Sequence, residues 1–478
     1  HLLSLFSEIL NSKNNMLINK LNLLNITLVG IGVIAFFIML YIAVISLFEK
    51  EKLAVRRLLK LAFLLPLPYL VVGLLNFPYQ THFAWALFLL TGIVFILLLL
   101  PIGKKYIVGN DIPRLKVDER DIVLSRNLLK IGTKRFIEYY NRHPDKKTPD
   151  DKFRDQPGLL SSDGSKYNPF TFASADASFN IVEFLRKAVD GQVANRKVKV
   201  DPAEISNYIK NWSLKLGAHN VGITKLKEYH LYSHIGRGES YGKPITQKHK
   251  YAIVFIVEMD KFMLGCAPAG PTIMESAQQY LTAGIIATQI AAFIRNIGYP
   301  ARAHIDGNYH VLCPLVAVDA GLGEIGRIGL LITPDLGPRV RISVVTTDLT
   351  LITDKRNFDN TVIDFCTNCK KCANICPGKA IPFNEREEID GVKRWQINSE
   401  ACFTYWCTTG TDCGQCTRVC PYSHPDSFFH NLVRYYVRNS SIFRKIAAPI
   451  DDFLYGRKPD SKEQPEWMKI KKQRKTNK

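Results

Sequence analysis

Nine of the chain's eleven cysteines fall between Cys366 and Cys420, and their spacing is its clearest chemical signal. The run CTNCKKCANICP, residues 366–377, reads C-x2-C-x2-C-x3-C closed by proline. In the bacterial ferredoxin pattern of that form, three thiolates hold one 4Fe-4S cluster and the fourth reaches a second. A partner set must therefore follow. The stretch CFTYWCTTGTDCGQCTRVCP supplies it with Cys402, Cys407, Cys413, Cys416 and Cys420. Exchange of the fourth ligands assigns Cys366, Cys369, Cys372 and Cys420 to one cluster and Cys376, Cys402, Cys413 and Cys416 to the other, leaving Cys407 over. Paired C-x2-C units also suit tetrahedral zinc, but zinc has no need of a triple cysteine run ending in Cys-Pro. Cys266 and Cys313 stand alone in apolar surroundings and read as buried thiols. Nothing suggests a secreted, disulfide-stapled protein.

The elements that must position these residues read as an α/β domain ahead of the cysteines. YAIVFIVEMD is a continuous apolar run, as in a strand buried on both faces. ESAQQYLTAGIIATQIAAFIRNIGYPARAH reads as a long helix ended by Gly298 and Pro300, followed by a strand, and RISVVTTDL adds another β-rich stretch. Strand, helix and strand in that order indicate an α/β core over 201–359. Between its elements lies GLGEIGRIG. Gly321, Gly323 and Gly326 fit only the glycine part of a dinucleotide fingerprint, so close backbone approach to some other large planar or phosphate-bearing cofactor is the better use for them. Residues 104–200 read as a linker and wrapping region, with YYNRHPDKKTPDDKFRDQPG as polar loop and SFNIVEFLRKAVDG as a short amphipathic helix. The cysteine region, 360–425, reads as a ferredoxin-like domain, and 426–478 as a C-terminal helical and basic tail.

The net charge of +20 fits either nucleic acid or an anionic membrane surface. The first 103 residues decide for the membrane. Ile26–Phe48 carries no charge and exceeds the ~20 apolar residues that cross a hydrocarbon core. Two further apolar runs, Leu61–Phe77 and Phe83–Pro101, read as a hairpin, giving about three spans. The loop after the first span holds Lys50, Lys52, Arg56, Arg57 and Lys60, and Lys104, Lys105, Arg114 and Lys116 follow the third, whereas PYQTH between the runs has neither Lys nor Arg. The positive-inside rule then puts the large domain in the cytoplasm, on a multi-pass anchor in the inner membrane. The chain begins at His1, which leaves room for an upstream segment, and no twin-arginine export signal is visible in it.

The order MDKFMLGCAPAGPTIMESAQQY, FIRNIGYPARAH, AVDAGLGEIGRIGLLITPDLGPRVRI, TTDLTL, FCTNCKKCANICPGKAI and CFTYW…CGQCTRVCPY resembles the reductive dehalogenases over roughly Asp201 to Pro425. That resemblance implies a base-off cobalamin in a nitroreductase-like α/β core, with one 4Fe-4S cluster near the corrin and another near the surface. The Asp-x-His-x-x-Gly signature that gives cobalt a histidine in other corrinoid enzymes is absent, in keeping with base-off binding. The implied reaction is reductive removal of halogen from an organohalide, with two electrons delivered through the clusters and a proton from a phenol. Tyr280 stands where the family carries its tyrosine acid, and Arg339, Arg341 and Arg327 are the candidate cations beside it. Trp406 and Tyr405 shield a cluster or line the substrate channel. Expected partners are a small organohalide, membrane lipid, and an electron donor, either a quinol-linked reductase or a ferredoxin or flavodoxin; no nucleic acid is expected.

Two other readings compete. Epoxyqueuosine reductase, the sister family, would use an aspartate where Tyr280 stands and would bind tRNA, for which no helical-repeat domain follows Pro421. A membrane-tethered iron-sulfur electron-transfer protein would need no substrate site and would leave the α/β domain without a purpose.

Overall fold

The computed structural model describes residues 23–100, 112–356 and 361–470. They form two compact units, His1–Lys104 with Tyr435–Arg457 and Lys105–Arg434 with Lys458–Lys478. The expected C-terminal tail is therefore divided: Tyr435–Arg457 belongs with the N-terminal helices. Lys104, Lys105 and the last eight residues of the basic tail lie outside the described residues.

The first unit contains α1 (Leu23–Phe48), α2 (Lys52–Leu64), α3 (Leu67–Leu74) and α4 (Gln80–Leu99). Among the described residues, three stretches are long and apolar enough to cross a membrane: Leu23–Phe48, Lys52–Leu74 and Gln80–Leu98. The second corrects the expected boundary. Lys52, Arg56, Arg57 and Lys60 do not sit in a loop but ride on α2, because nothing in KLAVRRLLKLAFL breaks a helix until Pro66. Arg57 is engaged inside this unit, donating to the Phe453 carbonyl and lying 5.2 Å over its ring. Phe453 belongs to the C-terminal helix Ser441–Tyr455, whose N-cap is the Ser440 hydroxyl accepting from the Phe443 amide.

In the second unit, a short helix Val123–Asn127 is followed by α5 (Lys134–Arg142), α6 (Pro144–Arg154) and α7 (Pro169–Leu185). α5 and α6 replace the expected polar loop. Phe136, Tyr139 and Tyr140 recur at helical spacing and are buried, and Pro144 stands at the first position of α6, where its missing N–H costs nothing. α8 (Pro202–Lys215) follows, capped by Asp201.

The central sheet has the order β1-β2-β6-β3, with every neighbour antiparallel: β1 (Asn220–Lys225), β2 (Tyr251–Glu258), β3 (Ala301–His304) and β6 (Val340–Thr347). The long α9 (Gly270–Asn296) joins β2 to β3. These two strands run parallel to each other, as strand-helix-strand requires, but β6 is inserted antiparallel between them. β2 is buried on both faces, as its unbroken apolar run requires. Ile253, Phe255 and Val257 pack under α9, while Ala252, Val254 and Ile256 pack on the other side with Val316 and Ala317 of α10 (Cys313–Asp319). Each of the larger side chains among these, Val, Ile or Phe, contributes about 1.5–3 kcal/mol of transfer free energy, so the strands that carry the site are anchored from both sides.

Two small hairpins complete the sheet structure, β4 (Glu324–Ile325) with β5 (Leu331–Ile332) and β7 (Glu387–Ile389) with β8 (Val392–Arg394). The motif cysteines lie on α11 (Thr361–Cys369), α12 (Lys371–Ile375), α13 (Ser399–Thr409) and α14 (Gln415–Val419) or directly after them, except Cys413, which stands in the turn between α13 and α14. The segment after α6 wraps α13: the amides of Gly158 and Leu160 donate to the carbonyls of Cys407 and Gly410 at 3.0 and 2.9 Å.

Candidate functional site

A cavity of about 1070 Å³ lies in the second unit. Ile273, Ser276 and Tyr280 of α9 share one helical face at spacings of three and four and line it together. Arg341 reaches it from β6. Its position is set by register: Arg341 pairs with Val257, which points under α9, so both side chains leave the sheet on the helix side. The guanidinium of Arg341 lies 4.6 Å from the centre of the Tyr280 ring, donates to the Ser276 hydroxyl and forms an ion pair with Asp412 at 3.2 Å. Phe179 of α7 lies 6.3 Å from the Tyr280 ring, centre to centre, and with Leu160 adds apolar wall.

Opposing influences act on Tyr280. The Arg341 charge is the largest and, with Arg237 a minor one beside it, draws its pKa down; burial and the carboxylates of Asp306 and Asp412 oppose it, and together they leave the phenol above its ordinary value. It is a protonated donor throughout the neutral range. The expected cation is present, but its acidifying effect is more than offset in this pocket. Asp412 is itself pushed up by burial, against the pull of Arg341. The Nε of Arg341 and Oδ1 of Asp412 are buried without a hydrogen-bond partner among the described residues, so both have polar capacity left for a ligand.

The other two arginines are elsewhere. Arg339 precedes β6, so strand alternation does not carry it to the face of Arg341; it donates to the Ser423 and Met259 carbonyls at 2.8 and 2.6 Å and pairs with Glu258 at 2.9 Å. Arg327, between β4 and β5, donates to the carbonyls of Cys366, Pro382 and Asn384 at 3.0, 2.8 and 2.8 Å. Neither lines the cavity, and neither do Gly321, Gly323 and Gly326. Packing accounts for these glycines: Gly321 takes φ +79° after α10, and a Cβ on Gly323 would stand 2.4 Å from the Ile332 carbonyl oxygen.

Sequence reasoning missed Asp412, although it is the acidic residue directly before Cys413, and it missed Ser276, four residues before Tyr280. It also missed a polar wall of Arg302, Tyr309 and His310. Behind that wall His304 is fully buried, its Nδ1 accepting from the His310 amide at 3.1 Å, which leaves Nε2–H to donate to Thr346 Oγ1 at 2.9 Å. Burial holds its pKa well below the usual histidine value. Trp406 lines the cavity and Tyr405 does not.

Cys366, Cys369, Cys372 and Cys420 line one small void of about 20 Å³ with Arg327, Phe365 and Tyr422. Burial pushes up the pKa of Cys372 and Cys420, and the other thiols of this group raise them further. The same mutual influence joins Cys402 to Cys416 and Cys376, and Cys413 to Cys416 and Cys402, so these four form a second group. Thiols concentrated in this way resist ionisation until a metal takes the charge. Cys416 also acts on Cys372 across the groups. Cys407 joins neither; it is buried against Phe153 of α6 and Phe403. Asp412 and Trp406, both within the second cysteine motif, put that group beside the large cavity.

Residues 365–424 match the family model described as a 4Fe-4S dicluster domain, Fer4_7. The chain is 37% identical over 272 residues to a tetrachloroethene reductive dehalogenase of Desulfitobacterium hafniense, covering 50% of this chain and 49% of that protein. To the tetrachloroethene reductive dehalogenase of Sulfurospirillum multivorans it is 30% identical over 294 residues, 54% of this chain and 58% of that one. A shorter stretch of 86 residues, 18% of this chain, is 33% identical to an epoxyqueuosine reductase of Atelocyanobacterium thalassa, covering 23% of it. Among solved structures, the K488Q variant of the catabolic reductive dehalogenase NpRdhA superimposes with TM-score 0.60 at 25% identity, over 75% of this chain and 48% of that one. A reductive dehalogenase structure described as suggesting a mechanism for B12-dependent dehalogenation gives TM-score 0.59 at 24% identity, over 74% and 49%. The chain spans about half the length of the curated relatives it matches. By sequence across the site-bearing region and by fold, the chain is similar to the reductive dehalogenases.

Proposed function

We propose that this protein removes halogen reductively from a small organohalide, using a base-off cobalamin and two 4Fe-4S clusters, with Tyr280 as proton donor. The observation that carries the reading is the Tyr280–Arg341–Asp412 constellation in a large cavity beside the second cysteine group. The cavity exceeds the roughly 300–1,000 Å³ of ordinary small-molecule pockets, and its wall mixes Leu160, Phe179 and Trp406 with the unpartnered polar atoms of Arg341, Asp412 and Arg302. These features fit a corrinoid with room for a substrate. B12 dependence is stated of a solved relative with the same fold. The two cysteine groups supply four thiolates each, as two cubane clusters need.

The balanced reaction consumes one organohalide, two electrons and one proton, and releases halide and the hydrogen-substituted product. The corrinoid supplies the low-potential chemistry that breaks the carbon–halogen bond. The protein's own residues do the rest. Arg341, fixed by Ser276 and Asp412, holds its charge over the Tyr280 ring and stabilises the phenolate left after the hydroxyl gives its proton to the substrate carbon. Phe179, Leu160 and Ile273 exclude water around that proton. Cys376, Cys402, Cys413 and Cys416 would hold one cluster beside the cavity and Cys366, Cys369, Cys372 and Cys420 the other; the clusters would supply electron transfer, with a quinol-linked reductase or a ferredoxin- or flavodoxin-type donor as partner. The proposal includes an anchor in the inner membrane, in contact with lipid and with the catalytic unit on the cytoplasmic side; the length and apolarity of three helices and the positive-inside reading of Lys52, Arg56, Arg57 and Lys60 support it.

The test is anaerobic purification with cobalamin reconstitution, analysis of cobalt, iron and sulfide, and halide release from chlorinated ethenes and bromophenols under reducing conditions. Stoichiometric cobalt, about eight irons per chain and halide release are expected. Full iron with neither cobalt nor halide would leave an electron-transfer protein.

A further inference from the structure

We propose that Arg327 is a fixed cation that raises the reduction potential of the cluster held by Cys366, Cys369, Cys372 and Cys420. The inference rests on the reading of those cysteines as cluster ligands and goes beyond it. Arg327 is 1% exposed and its guanidinium lies 4.5 Å from the centre of the Trp395 ring. Nε and Nη1 are spent on the carbonyls of Cys366, Pro382 and Asn384, but Nη2 is buried with no hydrogen-bond partner among the described residues. The side chain lines the same void as the four thiols, and a Cβ on the preceding Gly326 would stand 3.5 Å from Cys366 Sγ. Glu385 is near enough for its charge to act on Arg327, but no carboxylate forms an ion pair with it at contact distance among the described residues.

A buried donor left unpaired is costly, and a full positive charge more so, unless something in the void takes both. A cluster does. Its sulfurs accept hydrogen bonds and its net charge is negative. Reduction adds one electron, supplied in a titration by dithionite, and no proton, so the anion becomes more highly charged. A guanidinium in low dielectric favours the reduced form, and hydrogen bonds to cluster sulfur act in the same direction. Carbonyl oxygens hold the cation in place, and arginine stays charged at every working pH, so the effect is constant. Arg327 is thus a positioning and tuning residue, remote from Tyr280.

The test is an anaerobic redox titration followed by electron paramagnetic resonance, on the full chain with its clusters, for wild type, Arg327→Gln and Arg327→Lys. Iron and sulfide are counted first: a wild type without two reducible clusters would remove the underlying cluster reading itself. With two clusters present, Arg327→Gln is expected to move one midpoint potential to more negative values and leave the other unchanged. Arg327→Lys should move the same midpoint less. If Arg327→Gln fails to assemble, Arg327→Lys decides. Unchanged potentials at full iron content would overturn the proposal and leave Arg327 as a brace for three carbonyls.

Discussion

Arg341 and Arg327 stand in two regions of the same unit, and the company each keeps differs in kind. Arg341 faces a cavity of about 1070 Å³ and is held by a phenol ring, a hydroxyl and a carboxylate. Arg327 faces a void of about 20 Å³ lined by thiols and is held by backbone carbonyls and an indole. Backbone carbonyls do not titrate, so Arg327 is a static charge suited to a site where only electrons arrive. Tyr280 carries a proton that can move and Asp412 is a titratable carboxylate, so Arg341 belongs where electron and proton meet. Burial of an arginine therefore does not by itself define its task; the chemistry of its partners does.

The strongest way to break this contrast is to remove a ligand from each cysteine group. Cys420→Ser and Cys402→Ser should each lose about half the iron and a different one of the two paramagnetic signals. Loss of the same signal in both would dissolve the two-group assignment. Cys407→Ser, at a site packed on Phe153 and Phe403, should keep all its iron.

A smaller effect sharpens the picture of the cavity's polar wall. The folded-state pKa of His304 is depressed below the ordinary 6.5, so below that pH the unfolded chain binds the proton that the folded chain refuses. This contribution to stability is intact above the unfolded value and is lost as pH falls, by about 1.4 kcal/mol per pH unit, until the folded pKa is reached. Denaturant midpoints of the catalytic unit should fall from neutral toward acid pH, with a shallower slope in His304→Gln. Equal slopes would remove His304 from the account.

What was legible in the sequence follows from the range of each signal. Cysteine spacing is local and survives folding, so the two groups could be read before any strand was placed. The double burial of β2 was equally plain, because a run such as YAIVFIVE has no polar face to offer. Strand order was not. The insertion of β6 between β2 and β3 depends on pairing across more than eighty residues of chain to β2 and about forty to β3, and no periodicity reports it. The arginines divided for the same reason. Arg339 and Arg341 are two apart, but the strand begins between them, and one residue of boundary error decides which side chain meets Tyr280. Polar composition concealed α5 and α6, whose buried Tyr140 and Asp150 satisfy one another at 2.7 Å.

The central claim is that Tyr280 gives the proton. The most direct measurement is halide release and product formation by Tyr280→Phe, reconstituted to the same cobalt and iron content as wild type. The account predicts intact clusters and corrinoid with turnover lower by about 10²–10⁴-fold, the usual contribution of a general acid. Wild-type turnover in that variant would contradict it.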